Sequence, residues 1–455
     1  MMVDTTVHQQ PKGEIQNFNA SLVDGLVADT HATFSFFKNT SPLNRSKVLS
    51  RTAELISSRR EEIARLITSE VDKPITHSRI EVDRAAFTFS ASAKAALKAD
   101  DDIYPELYGA PNAVGKKVSY RYFPLGVIAA ITPFNFPLNL VAHKVAPAIA
   151  VGNCVILKPA PQAPRTALLL AAIMTEAGLP SGVLNVVNCT NEIAETMIMD
   201  ERIKMLSFTG SAEVGWKLKS LVPKKKVTLE LGGNGSCIVD EVQDWDKLVN
   251  DIISSAFGYA GQICISLQNL YVSENLYLEL LGRVVSVAKN LKVADVQSDE
   301  TILSPMISEE AATKVEKWIQ LAIDSGGKRH CGELIPPRNL SATVLTDVPE
   351  NSPIRSEEAF APIVNIIPYK EINDALTSIN LGKYGLQISL YSTNEATIDS
   401  AYKQLEVGGL IINNSNALRI DTMPYGGVKN SGFGREGIEF AIREMSEIKV
   451  KFRPE

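Results

Sequence analysis

No apolar run in this 455-residue chain approaches 18 residues without a charge, so no membrane-spanning helix is expected. The opening residues, MMVDTTVHQQPKGE, lack the basic start and apolar core of a signal peptide. Cysteine is scarce. Five occur, at positions 154, 189, 237, 264 and 331; an odd number with wide spacing and no CxxC pair excludes a disulfide framework and the usual zinc arrangements, and no metal site is expected. A cytoplasmic, reducing location follows as the expectation. Positive charge is not in excess: 46 Lys and Arg stand against 52 Asp and Glu, for a net charge of −6. General attraction to nucleic acid or to an anionic membrane is thereby excluded.

What is present is ordinary for a globular protein. Apolar residues make up 45% and charged residues 22%, which argues against disorder and fibrous repeats. The length exceeds what one core usually supports, so at least two domains are expected. Apolar positions Val48, Leu55, Ile56, Ile63, Leu66 and Ile67 within 44–70 carry the spacing of one amphipathic helix facing a core. From 118 onward β-rich runs alternate with helical segments: VSYRYFPLGVIAAITP, NCVILKP, the helical APRTALLLAAIMTEAGLP, GVLNVVN and KMLSFTG. A second alternating series starts with TLELGGNGSCIVD at 228 and runs through QNLYVS, a helix near 275–291, VNIIPY and QISLYS to GLIINN. Strand alternating with helix predicts parallel sheets with helical crossovers, here as two tandem α/β units with a boundary near 230.

Four segments put polar groups at predicted strand ends. Asn135, in ITPFNFPLN, is either a turn residue or an amide held to donate to an oxyanion. Lys158 ends VILKP and is either solvated or placed to reach a ribose or phosphate in the crevice at the strand ends. Gly210 and Ser211 follow the strand LSFT, where a helix start either is simply capped by the serine or also accepts a pyrophosphate. The last is the pair LELGG and GQICIS, with Glu230 and Cys264 separated by 34 positions (264 − 230). Cys264 is either a buried small hydrophobe or a nucleophile. A permanently charged carboxylate beside a thiol would raise its pKa, so Glu230 suits a base that activates water at a later step.

Taken together and in order, PFNFP (133–137), GNCVILKPA (152–160), SFTGSAEVG (207–215), LELGG (229–233), GQICIS (261–266), EEAFAPIV (357–364) and PYGGVKNSGFGREG (424–437) resemble the aldehyde dehydrogenase superfamily over nearly the whole chain. The resemblance implies a Rossmann-like cofactor domain (1–105 and 125–232), a catalytic α/β domain (233–429), and a small oligomerisation β-element (106–124 and 430–455). The hairpin of that element is expected near GKKVSYRYFP. It implies Cys264 as the nucleophile that adds to an aldehyde, and the Asn135 side chain with the Cys264 N–H as oxyanion donors. Hydride transfer would leave a thioester, and Glu230 would be the base for its hydrolysis. NAD or NADP would be held by Thr132, Pro133, Phe134, Lys158, Pro159, Ala160, Pro161, Gly210, Ser211, Val214, Leu231, Gly232, Glu358 and Phe360. Many NAD-preferring members carry a glutamate where this chain has Pro161, so the electrostatic bar to NADP is missing. A homodimer or homotetramer is implied.

For the substrate, His143 lies eight positions after Asn135 and Arg419 five before Pro424; Ile263 and Ile265 flank the thiol. One imidazole and one guanidinium suit a small polar, hydroxylated or acidic aldehyde such as lactaldehyde or succinate semialdehyde. The bland readings are a packed, hydrogen-bonded histidine and a loop salt bridge. The resemblance is strongest to lactaldehyde and phosphonoacetaldehyde dehydrogenases, then to non-phosphorylating glyceraldehyde-3-phosphate and succinate-semialdehyde enzymes. Phosphate-binding relatives often carry arginine where Ile263 stands. Two other readings stand beside it: a non-enzymatic member of the fold, and a reductase of acyl-CoA or acyl phosphates. The presence of Cys264, Asn135 and Glu230 speaks against the first, and Glu230 against the second.

Overall fold

The computed structural model of the chain describes residues 16–98 and 101–454; the residues read for a signal peptide, 1–14, lie outside that range. Two sheets organise the molecule. A six-stranded sheet runs in the order Gly432–Phe433, Lys226–Glu230, Ile203–Thr209, Val127–Ile131, Cys154–Lys158, Leu184–Val186, parallel except at Gly432–Phe433. A seven-stranded sheet runs Gly409–Ile412, Gln387–Tyr391, Gly235–Val239, Leu267–Ser273, Ile363–Tyr369, Thr343–Thr346, Lys328–Cys331, with only the last strand antiparallel. Strands covered on both faces need continuous apolar runs, and Cys154–Lys158 and Gly235–Val239 are buried at every position.

The stretch TLELGGNGSCIVD splits between the sheets: Glu230 ends a strand of the first and Gly235 begins one of the second. Helix Asn139–Val151 is buried on all sides, including Pro147 in its interior. It packs on helix Ile75–Ala96 and helix Ile438–Glu444, as an all-round apolar helix must. The single helix expected over 44–70 is instead two, Pro42–Ser58 and Arg60–Val71. The break falls where Ser57 and Ser58 turn their hydroxyls back onto the carbonyls of Ala53 and Leu55, competing with the backbone ladder. The apolar period continues across the break, so both helices still bury Leu55, Ile56, Ile63 and Ile67.

Strand Lys116–Pro124 pairs along its whole length with the C-terminal strand Ser446–Pro454, antiparallel. Among the described residues, the local pairing of a hairpin there is one bridge between Ile103 and Tyr120. Residues 432–444 return to the first sheet and its helices before this arm begins.

Candidate active site

The carboxyl ends of the first sheet face the amino ends of two strands of the second, and the polar groups singled out in the sequence gather in that seam. Strand Val127–Ile131 delivers Thr132–Asn135, Cys154–Lys158 delivers Lys158, Ile203–Thr209 delivers Gly210, and Lys226–Glu230 ends on Glu230. Cys264 stands three residues before strand Leu267–Ser273. Crevices at the carboxyl ends of parallel strands are the usual ligand sites of open α/β sheets.

The Cys264 segment is held under backbone tension. Tyr259, Ala260 and Gly261 have φ values of +51°, +53° and +65°; two consecutive non-glycine residues in the left-handed region are costly unless their surroundings impose it. Those surroundings are visible. The Tyr259 hydroxyl donates to the Val71 carbonyl at 3.2 Å, Gln262 Oε1 accepts from the Ile307 N–H at 2.7 Å, and a Cβ on Gly261 would come within 2.1 Å of the Ala361 carbonyl oxygen. The thiol itself lies in a small cluster with Ile263, Ile265, Leu386 and Tyr425. Its Sγ is 3.1 Å from the Tyr425 hydroxyl, and burial pushes the thiol up to about 11.

Asn135 is 3% exposed, and its Nδ2 donates one hydrogen to the Gln262 carbonyl at 2.9 Å, tying the amide to the Cys264 segment. The second amide hydrogen remains for another acceptor. A buried ion pair braces this loop. Lys73 Nζ donates to the Asn135 carbonyl at 2.9 Å and to Glu81 Oε2 at 2.6 Å, and it lies 3.4 Å from the centre of the Phe136 ring. Glu81 Oε1 in turn accepts from the N–H groups of Leu138 and Asn139. Burial draws Lys73 down to about 8. Removing one partner of such a pair strands a charge, so Lys73→Met is expected to lower stability by about 3–5 kcal/mol in chemical denaturation; an unchanged midpoint would show that the pair is not paired in solution.

Glu230 is 3% exposed and neither carboxylate oxygen has a hydrogen-bond partner. Burial first, and the neighbouring Glu436 second, hold its carboxyl well above the ordinary range. Glu436 goes the other way. Although burial opposes it, Lys144, Arg419 and His143 bring it down, with Lys144 Nζ at 2.8 Å and Arg419 Nη2 at 3.2 Å. Two carboxyls sharing one buried site therefore divide into one neutral and one ionised group. Gly426 makes room for this: a Cβ there would sit 2.8 Å from Glu230 Oε1.

His143 and Arg419 do not stand at an open mouth. His143 is 1% exposed, with Nε2 at 2.8 Å from Asp421 Oδ1, and burial followed by Arg419 keeps the imidazole below its ordinary pKa. Asp421 also receives Arg84 through two bonds of 3.0 and 2.6 Å and Asn139 at 3.3 Å. The Arg419 guanidinium is stacked 3.8 Å from the centre of the Tyr425 ring, and its Nε is buried without a partner. Tyr425, Glu436, Lys144, Asp421, Arg84, Lys73 and Glu81 escaped the sequence reading. Tyr425, Glu436 and Lys144 nonetheless lie inside or beside the quoted motifs.

On the cofactor side, Lys158 is 5% exposed and burial lowers its pKa, with Cys189 the charge partner that offsets this; no carboxylate acts on it. Pro159 and Ala160 are buried and Pro161 exposed. Ser211 caps the ten-residue helix Ala212–Leu221, its hydroxyl accepting from the Val214 N–H at 3.4 Å. Gly210, half-buried, starts that turn and Val214 is 43% exposed, while Leu231 is buried beneath. Glu358 lies against Gly232, where a Cβ would fall within 2.0 Å of its Oε2, and accepts from the Gly233 N–H at 3.3 Å. Burial holds its carboxyl up to about 7, which Lys314 partly offsets. The half-buried rings of Phe134 and Phe360 meet edge to face at 6.0 Å. A free helix start, a bare glycine backbone and an unopposed lysine fit a dinucleotide's pyrophosphate and ribose.

The known proteins agree with this geometry. The model of the aldehyde dehydrogenase family matches residues 2–451. The chain is 40% identical to the 3-sulfolactaldehyde dehydrogenase of Priestia aryabhattai, covering 97% of this chain and 92% of that one. It is 38% identical to the lactaldehyde dehydrogenase of Methanococcus aeolicus over 93% of this chain and 90% of that one. Among solved structures, it superposes with a TM-score of 0.94 on aldehyde dehydrogenase 21 from Physcomitrella patens in complex with the reaction product succinate, at 38% identity over 97% and 92% of the two chains. The glyceraldehyde-3-phosphate dehydrogenase of Methanocaldococcus jannaschii complexed with NADP gives a TM-score of 0.92 at 34% identity, over 98% and 96%. A thiol, an amide and an unpartnered carboxyl in a seam built for a dinucleotide, together with a family match that spans almost every residue, lead to one conclusion: the chain belongs to the aldehyde dehydrogenase family and is an NAD(P)-dependent aldehyde dehydrogenase.

Proposed function

We propose that this enzyme oxidises a short aldehyde bearing an anionic or hydroxylated tail to its acid, with Cys264 as nucleophile, Asn135 as oxyanion donor and Glu230 as base. The observation that carries the reading is the buried Glu230 carboxyl, unpartnered among the described residues, with Oε1 against Gly426, the neighbour of the Tyr425 that meets the Cys264 thiol. The Cys264 sulfur adds to the carbonyl carbon, and the carbonyl electrons move onto oxygen, to which Asn135 Nδ2 and the Cys264 N–H donate hydrogen bonds. Bound nicotinamide dinucleotide supplies the acceptor for the hydride that then leaves that carbon. The thioester left on Cys264 is cleaved by water. Glu230 takes the water's proton, oxygen bonds to carbon, the carbon–sulfur bond breaks, and the acid departs.

The substrate class rests on charge. With Glu230 held toward its neutral form, Lys144, Arg419, Arg84 and Arg435 outnumber Glu436, Asp421 and Glu358 around the seam. An enclosed surplus of positive charge favours an anion. Arg419 lies one tyrosine ring from the thiol, a separation that suits a carbon chain of only a few atoms. Names of two relatives carry an anion, 3-sulfolactaldehyde and a complex with succinate, and a third, lactaldehyde, carries only the hydroxylated tail. A spectrophotometric NAD(P)H screen is expected to give kcat/KM at least about tenfold higher for 3-sulfolactaldehyde or succinate semialdehyde than for butanal, and Arg419→Met to erase most of that ratio. Equal use of the neutral aldehyde would overturn the charge argument. With no carboxylate at Pro161 to repel a 2′-phosphate, NADP is expected to support turnover within about tenfold of NAD.

The arm formed by Lys116–Pro124 and Ser446–Pro454 exposes Ile448, Val450 and Phe452 at 51%, 64% and 57%. An exposed apolar ladder on a two-stranded sheet calls for cover, and we assign that cover to a second copy in a homodimer or homotetramer. The five free cysteines fit a reducing, cytoplasmic setting, and no helix among the described residues is long and apolar enough to cross a membrane.

A further inference from the structure

We infer that Tyr425 is a catalytic residue: its hydroxyl donates a hydrogen bond to the Cys264 thiolate, and Arg419, stacked on the face of the Tyr425 ring, strengthens that donor. The inference rests on the reading of Cys264 as nucleophile and adds to it a means of forming the thiolate.

The need for such a means is geometric. Cys264 sits among Ile263, Ile265, Leu386 and Tyr425, surroundings that favour the neutral thiol over the anion. Among the described residues the thiol has one hydrogen-bond partner, the Tyr425 hydroxyl at 3.1 Å. A thiol and a phenol can each act as donor, but once the sulfur has lost its proton it can only accept, and the phenol is much the better donor of the two. The bond therefore switches character on ionisation. It is weak while sulfur is protonated and charge-assisted when sulfur is the anion. The thiol proton passes to water, sulfur keeps the electron pair, and Tyr425 keeps its own proton.

Arg419 completes the device. Its guanidinium carbon is 3.8 Å from the ring centre, a stacked cation–π contact, while Nη2 is anchored by Glu436 at 3.2 Å. A cation on the ring face withdraws charge from the phenol and makes its hydrogen a stronger donor. Tyr425 itself is 4% exposed, so no bulk water competes for the hydroxyl. The titratable groups acting on the thiol are Tyr425 and Arg419, which favour the anion, and Glu358 and Glu230, which oppose it. Burial and Glu436 hold Glu230 toward its neutral form, which weakens its opposition to the thiolate until the base is called on.

The test uses the full-length enzyme without aldehyde and a neutral alkylating agent, iodoacetamide, with labelling of the Cys264 peptide followed by mass spectrometry. Cys154, Cys189 and Cys237 are buried and serve as internal references. Tyr425→Phe removes one oxygen atom and preserves the ring on which Arg419 stacks. Loss of one charge-assisted bond is expected to raise the thiol pKa by about one unit, cutting the thiolate fraction about tenfold at pH 8. Because a more basic thiolate is the stronger nucleophile, with a Brønsted slope of about 0.4–0.5, the labelling rate at pH 8 should fall only about threefold. A slower rate is a signature that loosened packing, which opens the thiol to the reagent, does not produce. Arg419→Met should move the profile in the same direction by a smaller amount. Superimposable profiles for Tyr425→Phe and wild type would overturn the inference, and so would faster labelling of the variant at pH 8, which would mean that Tyr425 stabilises the neutral thiol. Neither outcome depends on turnover. Failure of the nucleophile reading shows separately, as persistence of NAD(P)H formation in Cys264→Ala.

Discussion

Cys264→Ala is expected to lose aldehyde-dependent NAD(P)H formation by at least about 10⁴-fold, while still binding NAD(P). The size of the effect follows from the chemistry. Without sulfur there is no covalent adduct, and a free aldehyde must lose hydride with no adjacent oxyanion to drive it. No other described cysteine can substitute: Cys154 and Cys237 are buried and pushed up to about 12, Cys189 is buried and its thiol is likewise raised by burial, and Cys331 lies at the far edge of the second sheet. Dinucleotide binding should survive because Lys158, Gly210, Ser211 and Glu358 are held by other elements. Binding would be followed by fluorescence titration. Activity above a few per cent of wild type, with binding intact, would mean that the reacting group is not this thiol.

Glu230→Gln should separate the two halves of the reaction. A burst of about one NAD(P)H per site should remain, followed by a steady-state rate lower by about 10²–10⁴, because removing a positioned general base costs that much. The pH dependence carries the sign. A carboxyl whose pKa is raised by burial is neutral and useless as a base at low pH, and becomes competent only as pH climbs through that raised value. Wild-type steady-state turnover limited by thioester hydrolysis should therefore rise with pH, and the Gln variant should be nearly flat. Glu436 offers a check on the cause. Converting Glu436 to Gln removes the like charge and frees Lys144 and Arg419 to act on Glu230; both changes lower its pKa, so the rising limb should move to lower pH. A limb that stayed in place, or moved up, would mean that the two carboxyls are not electrostatically linked. Loss of the burst in Glu230→Gln would place this carboxylate before hydride transfer instead.

Much of the fold was legible because it depends on local pattern. Alternating β-rich and helical runs predicted two parallel sheets, and the continuous apolar run at Cys154–Lys158 reflects burial on both faces. The helix over 44–70 was read from its period, yet the period survives a break at Arg59; apolar spacing reports which side is buried and is blind to a local interruption of the backbone ladder. The arm was half legible. A β-rich run at 116–124 is visible in the sequence, but its partner is the far C-terminus, and strand pairing over that separation leaves no local mark.

The site shows the same division more sharply. Residues at strand ends, such as Asn135, Lys158, Gly210 and Glu230, announce themselves by position, since a polar or glycine residue closing an apolar run needs a reason. Residues that matter through a distant neighbour do not. Tyr425 reaches Cys264 across 161 positions, His143 meets Asp421 across 278, and Lys144 meets Glu436 across 292.

By itself the sequence determined the class of fold, the strand ends where chemistry collects, and the family, because those reside in short stretches whose order along the chain is information. Only the tertiary structure decided how the charges are shared: which of two carboxyls is neutral, that His143 and Arg419 are spoken for by Asp421 and Glu436, and that a tyrosine rather than open water faces the thiol. The physical reason is that a protonation state depends on burial and on every charge within a few ångströms, and both are set when remote strands come together.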